Sequence, residues 1–234
     1  MKNIKRAILL SAGFGTRLRP ITYKIPKCMV NIDGLPLLEH WIRHLENLKV
    51  DSVIINTHYL AEQVENYINQ RQNNLLKINI INEKKLLGTA GTLIANKDFF
   101  KDSIGILIHA DNYTKTNLNE LVKAFNNRPS GCLLTMLTFN SMNPESCGVV
   151  EISEKGIVTN FHEKVKRPPS NRANGAIYIF GQEFLDWLSQ HANNCSDFST
   201  EILPKLIGRI STWHTLDPYI DVGTPSALAK ARAL

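Results

Sequence analysis

Four charged residues stand where the surrounding pattern gives them chemistry to do: Arg17, Lys27, Asp111 and Asp221. Arg17 follows Ser11-Ala12-Gly13-Phe14-Gly15-Thr16, a mostly small-residue run placed directly after the apolar stretch 7–10. The apolar stretch reads as a short strand buried on both faces, and the small residues after it let backbone N–H groups turn toward an anion. Ser11, Ala12, Gly13, Gly15 and Thr16 therefore form a candidate phosphate cradle. Arg17 can fork onto phosphate oxygens, and Lys27, returned by a loop that Pro20 and Pro26 stiffen, adds a point charge. A glycine turn with solvated charges is the plainer reading of a lone Gly-x-Gly, but two cations at this spacing argue against it. A Walker loop would end in Gly-Lys-Ser/Thr, and a dinucleotide-binding loop would place a third glycine at a helix start. Here a proline follows instead.

Asp111 closes a second apolar run, 104–108, after His109 and Ala110. A carboxylate delivered to the end of a buried strand is a poor core residue and a good Mg²⁺ ligand, because Mg²⁺ prefers one or two carboxylates plus substrate phosphates. Capping the next helix is the alternative. Asp221 precedes Val222-Gly223-Thr224-Pro225, where a glycine turn and a proline at a helix start make capping a fair reading as well. In Gly88-Thr89-Ala90-Gly91 the small side chains let a ring approach the backbone, and Thr89 can offer its hydroxyl to a ligand or cap a helix. Asn112 and Asp217 read as loop residues.

The elements that must position these groups alternate. Apolar runs at 53–55, 78–81 and 104–108 read as buried strands. Between them Leu38, Trp41, Ile42, Leu45 and Leu48, with Pro36 in the first turn, and then Leu60, Val64, Tyr67 and Ile68 recur at helical spacing. Residues 28–32 read as a short extended piece. Strand and helix in alternation imply right-handed crossovers and a mostly parallel sheet, with ligands at the carboxyl ends of its strands. Beyond Pro129, strand-like runs at 132–139, 148–152 and 156–161 follow one another with short turns, which predicts a β-rich half continuous with that sheet. Further helices are expected to open at 196–201 and at Pro225.

With 234 residues, 43% hydrophobic and 21% charged, the chain can bury a sizeable core and has the composition of an ordinary soluble protein. No apolar run approaches a membrane span and no long apolar leader opens the chain, so the default compartment is the cytoplasm. The four cysteines are scattered, which argues against a zinc site or a disulfide framework. A net charge of +6 invites a nucleic-acid reading, but the basic residues are dispersed and not interleaved with aromatics, so small phosphorylated substrates explain it better.

On these residues a family resemblance becomes specific. The opening stretch through Lys27 is similar to the signature of the sugar-1-phosphate nucleotidylyltransferases, Leu-Ala-(Ala/Gly)-Gly-x-Gly-Thr-Arg-Leu-x-Pro-(Leu/Ile)-Thr followed by Pro-Lys. Ser11 replaces a common alanine, and Cys28-Met29 stands where Pro-Leu or Ala-Met is frequent. The resemblance continues through Leu87-Gly88-Thr89-Ala90, with Glu83 in the place of a preceding acidic residue and Leu86 where proline is usual. It then takes in Asp111, Gly148-Val149-Val150, Glu163-Lys164, Asn174-Gly175-Ala176-Ile177-Tyr178 and Asp221-Val222-Gly223-Thr224-Pro225. It implies an α/β fold of the nucleotide-diphospho-sugar transferase type: a Rossmann-like mixed, mostly parallel sheet flanked by helices, with a β-rich sugar-binding half. One domain would cover 1–234, with the nucleotide-binding part at about 1–128 and the sugar-phosphate-binding part at about 129–234, and without the C-terminal β-helix of longer relatives.

The resemblance also implies roles. Ser11, Ala12, Gly13, Gly15, Thr16, Arg17, Lys27, Glu83, Gly88 and Thr89 would bind nucleotide. Gly148, Glu163 and Asn174 would hold sugar hydroxyls, Lys164 would grip the sugar phosphate, and Asp111 and Asp221 would hold Mg²⁺. Arg17, Lys27, Asp111 and Asp221 would carry the reaction, which is magnesium-dependent transfer of a nucleotidyl group from a nucleoside triphosphate to a sugar 1-phosphate, releasing pyrophosphate. The 87–91 run stands closer to the mannose-1-phosphate and manno-heptose-1-phosphate guanylyltransferases. That implies GTP, with Glu83 or backbone carbonyls accepting from the guanine N1–H and N2 amine, and mannose or D-glycero-D-manno-heptose 1-phosphate as acceptor. Thymidylyl, uridylyl or cytidylyl transfer to another sugar 1-phosphate is the alternative. A non-catalytic nucleotide-sugar-binding regulatory homologue is the rival from a different class, against which the four charged residues speak. Homo-oligomerisation is left open, and Cys28 as a covalent nucleophile has no matching base in the sequence.

Overall fold

The computed structural model describes residues 3–72 and 75–234. The chain opens on β1 (Ile4–Leu10), then turns through single-turn helices at Thr16–Leu18, Ile21–Tyr23 and Lys27–Met29 into a small ribbon, β2 (Asn31–Ile32) with β3 (Leu35–Pro36). There follow α1 (Leu37–Asn47), β4 (Ser52–Thr57), α2 (Ala61–Gln70), β5 (Lys77–Asn82), α3 (Gly88–Ala95), β6 (Ile104–His109), β7 (Asn112–Thr114) and α4 (Leu118–Asn126). The remainder comprises β8 (Leu134–Asn140), β9 (Gly148–Ile152), β10 (Val158–Glu163), β11 (Arg172–Phe180), α5 (Gln182–His191), a π-helical turn at Phe198–Ile202, β12 (Ile210–His214), β13 (Tyr219–Asp221) and α6 (Pro225–Arg232).

One nine-stranded sheet carries most of these strands in the order β10-β9-β11-β6-β1-β4-β5, with β8 against β11 and β12 against β8. The β6-β1-β4-β5 part is parallel, β11 runs antiparallel to β6, and the β-rich half thus continues the same sheet. Successive side chains of a strand point to opposite faces, so residues 7–10 of β1 can all be apolar only if both faces are covered. They are covered. Ala7 and Leu9 pack with Trp41 and Leu45 of α1 and with Leu121 and Phe125 of α4, while Ile8 packs on the other side with Leu93 of α3 and with Phe184 and Leu188 of α5. Each such fully buried large side chain contributes about 1.5–3 kcal/mol, which makes this sheet a rigid floor. No helix among the described residues is long and apolar enough to cross a membrane.

Three local expectations change, the first being Asn112, which opens β7 and is not a loop residue. Residues 28–32 are not one extended piece, because Lys27–Met29 closes a helical turn before β2 begins. Pro36 ends β3 in an extended conformation and precedes α1, which starts at Leu37. Pairing β3 with β2 outweighs the preference of proline for a first helical turn.

Candidate active site

Parallel pairing sets Leu10 of β1 beside Asn56 of β4 and His109 of β6, so the carboxyl ends of the three strands form one ledge. The chain leaves β1 into the cradle. Ser11 donates its N–H to Asn56 Oδ1 (2.7 Å) and its hydroxyl to the Asn56 carbonyl, which fixes the first turn. Gly15 takes φ of +61°, a region that favours glycine. A Cβ there would come within 3.0 Å of Thr22 Cγ2 and 3.1 Å of Lys27 Cβ, so Gly15 also lets Lys27 approach.

The two aspartates reach each other through a second, two-stranded sheet. β7 pairs antiparallel with β13 so that Asp221 lies opposite Asn112, and the Val222 N–H donates to the Asp111 carbonyl (2.9 Å). Trp41, buried in the core, donates its indole N–H to the Asn112 carbonyl (2.8 Å) and ties this ribbon to α1. Lys27, only 8% exposed, then donates its ammonium to Asp111 Oδ2 (2.8 Å) and Asp221 Oδ1 (3.3 Å). Arg17 reaches the other oxygen of Asp221 (3.3 Å). Gly223 leaves the space for it, since a Cβ would lie 2.8 Å from the Arg17 guanidinium. Burial pushes the Asp111 carboxyl upward, yet the Lys27 ammonium, together with His109 and a backbone hydrogen bond, holds the group below the usual aspartate range. All four charged residues thus meet at one point, and the carboxylates do more than cap helices: Thr224 is the side chain that caps α6.

Two cavities flank this cluster. One, of about 240 Å³, is lined by Ser11, Ala12, Gly13, Lys27, Glu83, Gly88, Thr89 and Asp111, together with Asn56, Thr92 and His109. Of the cradle residues, Gly15, Thr16 and Arg17 lie outside its lining. The other, of about 490 Å³, is lined by Arg17, Asp111, Gly148, Glu163, Lys164, Asn174 and Asp221, and also by Asp197, Ser199 and Thr200. Gly148 is packed against its neighbours: a Cβ would meet Phe161 at 2.5 Å and Glu163 Oε2 at 2.7 Å. Lys164 Nζ lies 3.1 Å from Glu163 Oε1. Asn174 donates its amide to the Tyr178 hydroxyl (2.6 Å) and accepts from the Ala176 N–H (2.9 Å), bracing a break in the β11–β8 register between Asn174 and Tyr178.

Glu83, one of the possible acceptors for the base, lines the first cavity and is also tied to the protein. It is 5% exposed, and its carboxylate accepts from Asn56 Nδ2 (3.0 Å), the Thr92 hydroxyl and the Leu87 N–H (3.0 Å). Its oxygens therefore hold the 87–91 loop in place. Cys28 lines the same cavity but is 2% exposed, and burial pushes its thiol up to about 12, which removes it as a nucleophile.

Sequence reasoning missed Asn56, which joins the cradle to Glu83 and Thr92. Its one signal was an amide ending the apolar run 53–55. It also missed His109, which stands on the wall shared by the two cavities. Burial, more than any neighbouring charge, pushes this imidazole below the usual histidine value, and its Nε2 is the one buried side-chain polar atom without a partner among the described residues. The signal was again polar: a histidine where the apolar strand would have continued.

Comparison with known proteins follows the geometry. Residues 6–234 match the family described as nucleotidyl transferase. Mannose-1-phosphate guanylyltransferase 1 of Arabidopsis thaliana is 30% identical over 227 residues, covering 94% of this chain and 62% of that protein. The UTP–glucose-1-phosphate uridylyltransferase of a Synechocystis species is 30% identical, covering 93% of this chain and 60% of that protein. The chain thus spans less than two thirds of the length of these relatives. Among solved structures, HddC from Yersinia pseudotuberculosis in complex with GMP-PN superposes with a TM-score of 0.81 at 24% identity, covering 98% of this chain and 99% of that one. At that identity the likeness shows the fold, a mixed and mostly parallel sheet flanked by helices.

Proposed function

The chain belongs to the nucleotidyl transferase family, and from that premise we propose that it transfers a nucleotidyl group from a nucleoside triphosphate to a sugar 1-phosphate with release of pyrophosphate. The observation that carries this reading is the meeting of Lys27, Asp111 and Asp221 at the boundary of two cavities, one behind the cradle and one lined by Glu163, Lys164 and Asn174. Nucleoside triphosphate belongs in the first and the sugar phosphate in the second. An oxygen of the acceptor phosphate forms a bond to the α-phosphorus while the bond from that phosphorus to the bridging oxygen breaks, and the electron pair leaves with pyrophosphate. The acceptor is already anionic at neutral pH, so no side chain need take a proton. What the protein must supply is alignment and compensation of negative charge. Lys27 and Lys164 screen the converging anions, and Arg17, at the edge of the acceptor-side cavity beside Asp221, adds positive charge where the phosphates meet.

The donor set suits magnesium. Two carboxylates converge on one point, and two carboxylates would leave most of an octahedral shell to phosphate oxygens and water. Asp111 and Asp221 would hold the ion. When bound, it supplies positive charge to the phosphate oxygens as the bond order changes.

Arg17 and Arg19 separate this reading from a loop of solvated charges. Arg17 points into the acceptor-side cavity, whereas the Arg19 guanidinium lies over the Tyr23 ring at 4.8 Å. Arg17→Ala is expected to lower kcat/KM by about 10- to 100-fold, and Arg19→Ala by about twofold or less, with both variants keeping the wild-type circular dichroism spectrum. Equal and mild effects would contradict the proposal.

For the base we propose GTP, supported by the guanylyltransferase name of a 30% identical relative. With Glu83 committed to protein donors, backbone carbonyls around the 87–91 loop are left to accept from the guanine amine. Mannose or D-glycero-D-manno-heptose 1-phosphate is the proposed acceptor. Pyrophosphate release measured with GTP, UTP, dTTP and CTP against a panel of sugar 1-phosphates, with and without Mg²⁺, tests the whole assignment. A UTP or dTTP preference would overturn the guanylyl assignment and leave nucleotidyl transfer standing. Absence of release with every pair would overturn both.

A further inference from the structure

One short segment lines the acceptor-side cavity and packs against the 88–91 loop, part of which lines the other cavity. The Ser196 carbonyl accepts from the N–H groups of Ala90 (2.9 Å) and Gly91 (3.3 Å) in the first turn of α3, and the Phe198 N–H donates to the Thr89 hydroxyl (2.8 Å). Contact is backbone to backbone at Gly88, whose φ is +80° and where a Cβ would lie 2.3 Å from the Ser196 oxygen. Immediately beyond, Asp197, Ser199 and Thr200 line the acceptor-side cavity. Asp197 Oδ1 accepts from the Thr200 N–H (2.8 Å) and hydroxyl (2.9 Å), which folds these three side chains into one turn. That turn is π-helical, a geometry that concentrates at functional sites.

Glu201 holds the segment in shape. A single oxygen, Oε2, accepts from the Ser196 N–H (2.7 Å), the Ser196 hydroxyl (3.0 Å) and the Asp197 N–H (2.7 Å). Glu201 lines neither cavity. The donor hydrogens fix its charge, and those hydrogen bonds hold its carboxyl below the usual glutamate range. It is therefore a clasp behind the wall.

We propose that Glu201 is a positioning residue for the acceptor: it locks 196–198 onto the 88–91 loop, so that the nucleotide side and the turn 197–200 form one body, and the sugar 1-phosphate meets Asp197, Ser199 and Thr200 already in place. This rests on the nucleotidyl-transfer reading above. Two sites joined in this way are coupled, and loosening the join weakens the acceptor more than the nucleotide, whose own contacts on the cradle are untouched.

The test is steady-state kinetics on the full chain with GTP and mannose 1-phosphate, or with whichever pair the wild type turns over best. Glu201→Gln keeps the volume and removes the charge. It is expected to raise the KM for the sugar 1-phosphate by about tenfold while the KM for the nucleotide changes by about twofold or less. If Glu201→Gln does not fold, Ser196→Ala, which removes one of the three donors to Glu201 Oε2 and lies in neither cavity, is expected to raise the same KM by a smaller factor, and Ser196→Thr to restore it. An active wild type whose variants leave both KM values unchanged, or move them together, overturns this proposal alone. A wild type inactive with every pair removes the nucleotidyl-transfer reading and this proposal with it.

Discussion

Asp221→Asn is expected to lower kcat/KM by about 100- to 1000-fold while the fold stays intact, and Asp111→Asn to do the same. The reason is their position. Asp221 ends β13 with its side chain 45% exposed, and Asp111 follows β6 with its side chain 39% exposed, so neither carboxylate packs as core. What they share is one ammonium, Lys27, and the boundary between the two cavities. Asparagine keeps the volume and one oxygen of each site but removes the negative charge that would attract a hard cation. The backbone bridge between the two segments, from the Val222 N–H to the Asp111 carbonyl, is untouched by either change. Wild-type circular dichroism together with lost pyrophosphate release is the expected pair of results, and activity that stays low across a magnesium titration supports the carboxylates as its holders. Turnover of Asp221→Asn at the wild-type rate with Mg²⁺ would remove the two-carboxylate site.

What could be read from the chain alone follows from which contacts are local. The apolar runs 7–10, 53–55 and 104–108 could only be strands covered on both faces, and with helices between them a parallel sheet followed. Arg17 and Asp111 were legible because each lies in the loop that leaves such a strand, and Lys27 because a loop stiffened by Pro20 and Pro26 returns it. Relations set by strand order were not. Asn56 becomes the anchor of Ser11 only because β4 lies beside β1, and nothing within residues 53–57 says which strand is its neighbour. Glu83 was visible as an acidic residue before a glycine loop, but its commitment to Asn56, Thr92 and Leu87 depends on how β5 and α3 stack. Gly223 read as a turn, and its second task, clearing space for Arg17, needs the β7–β13 ribbon that brings the chain's end back to its beginning. The segment 196–201 was equally silent, since its partners at 88–91 lie on the other side of the site.

Lys27→Met should be the most informative single change, because it separates charge from packing. Methionine keeps the length of the buried stem and loses the ammonium that now bridges Asp111 and Asp221. Transfer is expected to fall by about 100- to 1000-fold, as for loss of one strong electrostatic partner. Stability should change in a pH-dependent way whose sign follows from Asp111. Its carboxyl lies below the usual aspartate range in the folded wild type, because the ammonium, with His109 and a backbone hydrogen bond, outweighs the upward push of burial, so the ionised group adds stability at neutral pH that is lost as pH falls through the folded value. Without Lys27 its share of the downward push is lost, and His109 and a backbone hydrogen bond are left against burial. The folded carboxyl then titrates higher than in wild type, and the variant gains relative to wild type as pH falls toward about 4. Breaking a fully buried pair costs about 3–5 kcal/mol, but solvent reaches both carboxylates, so a loss of about 1–2 kcal/mol at pH 7 is expected. Urea unfolding at pH 7 and pH 4.5, with the Asp111 carboxyl followed by carbon NMR, measures both effects. A variant equally destabilised at the two pH values would show that Lys27 acts through packing, and one that turns over at the wild-type rate would show that its charge is not used in the reaction.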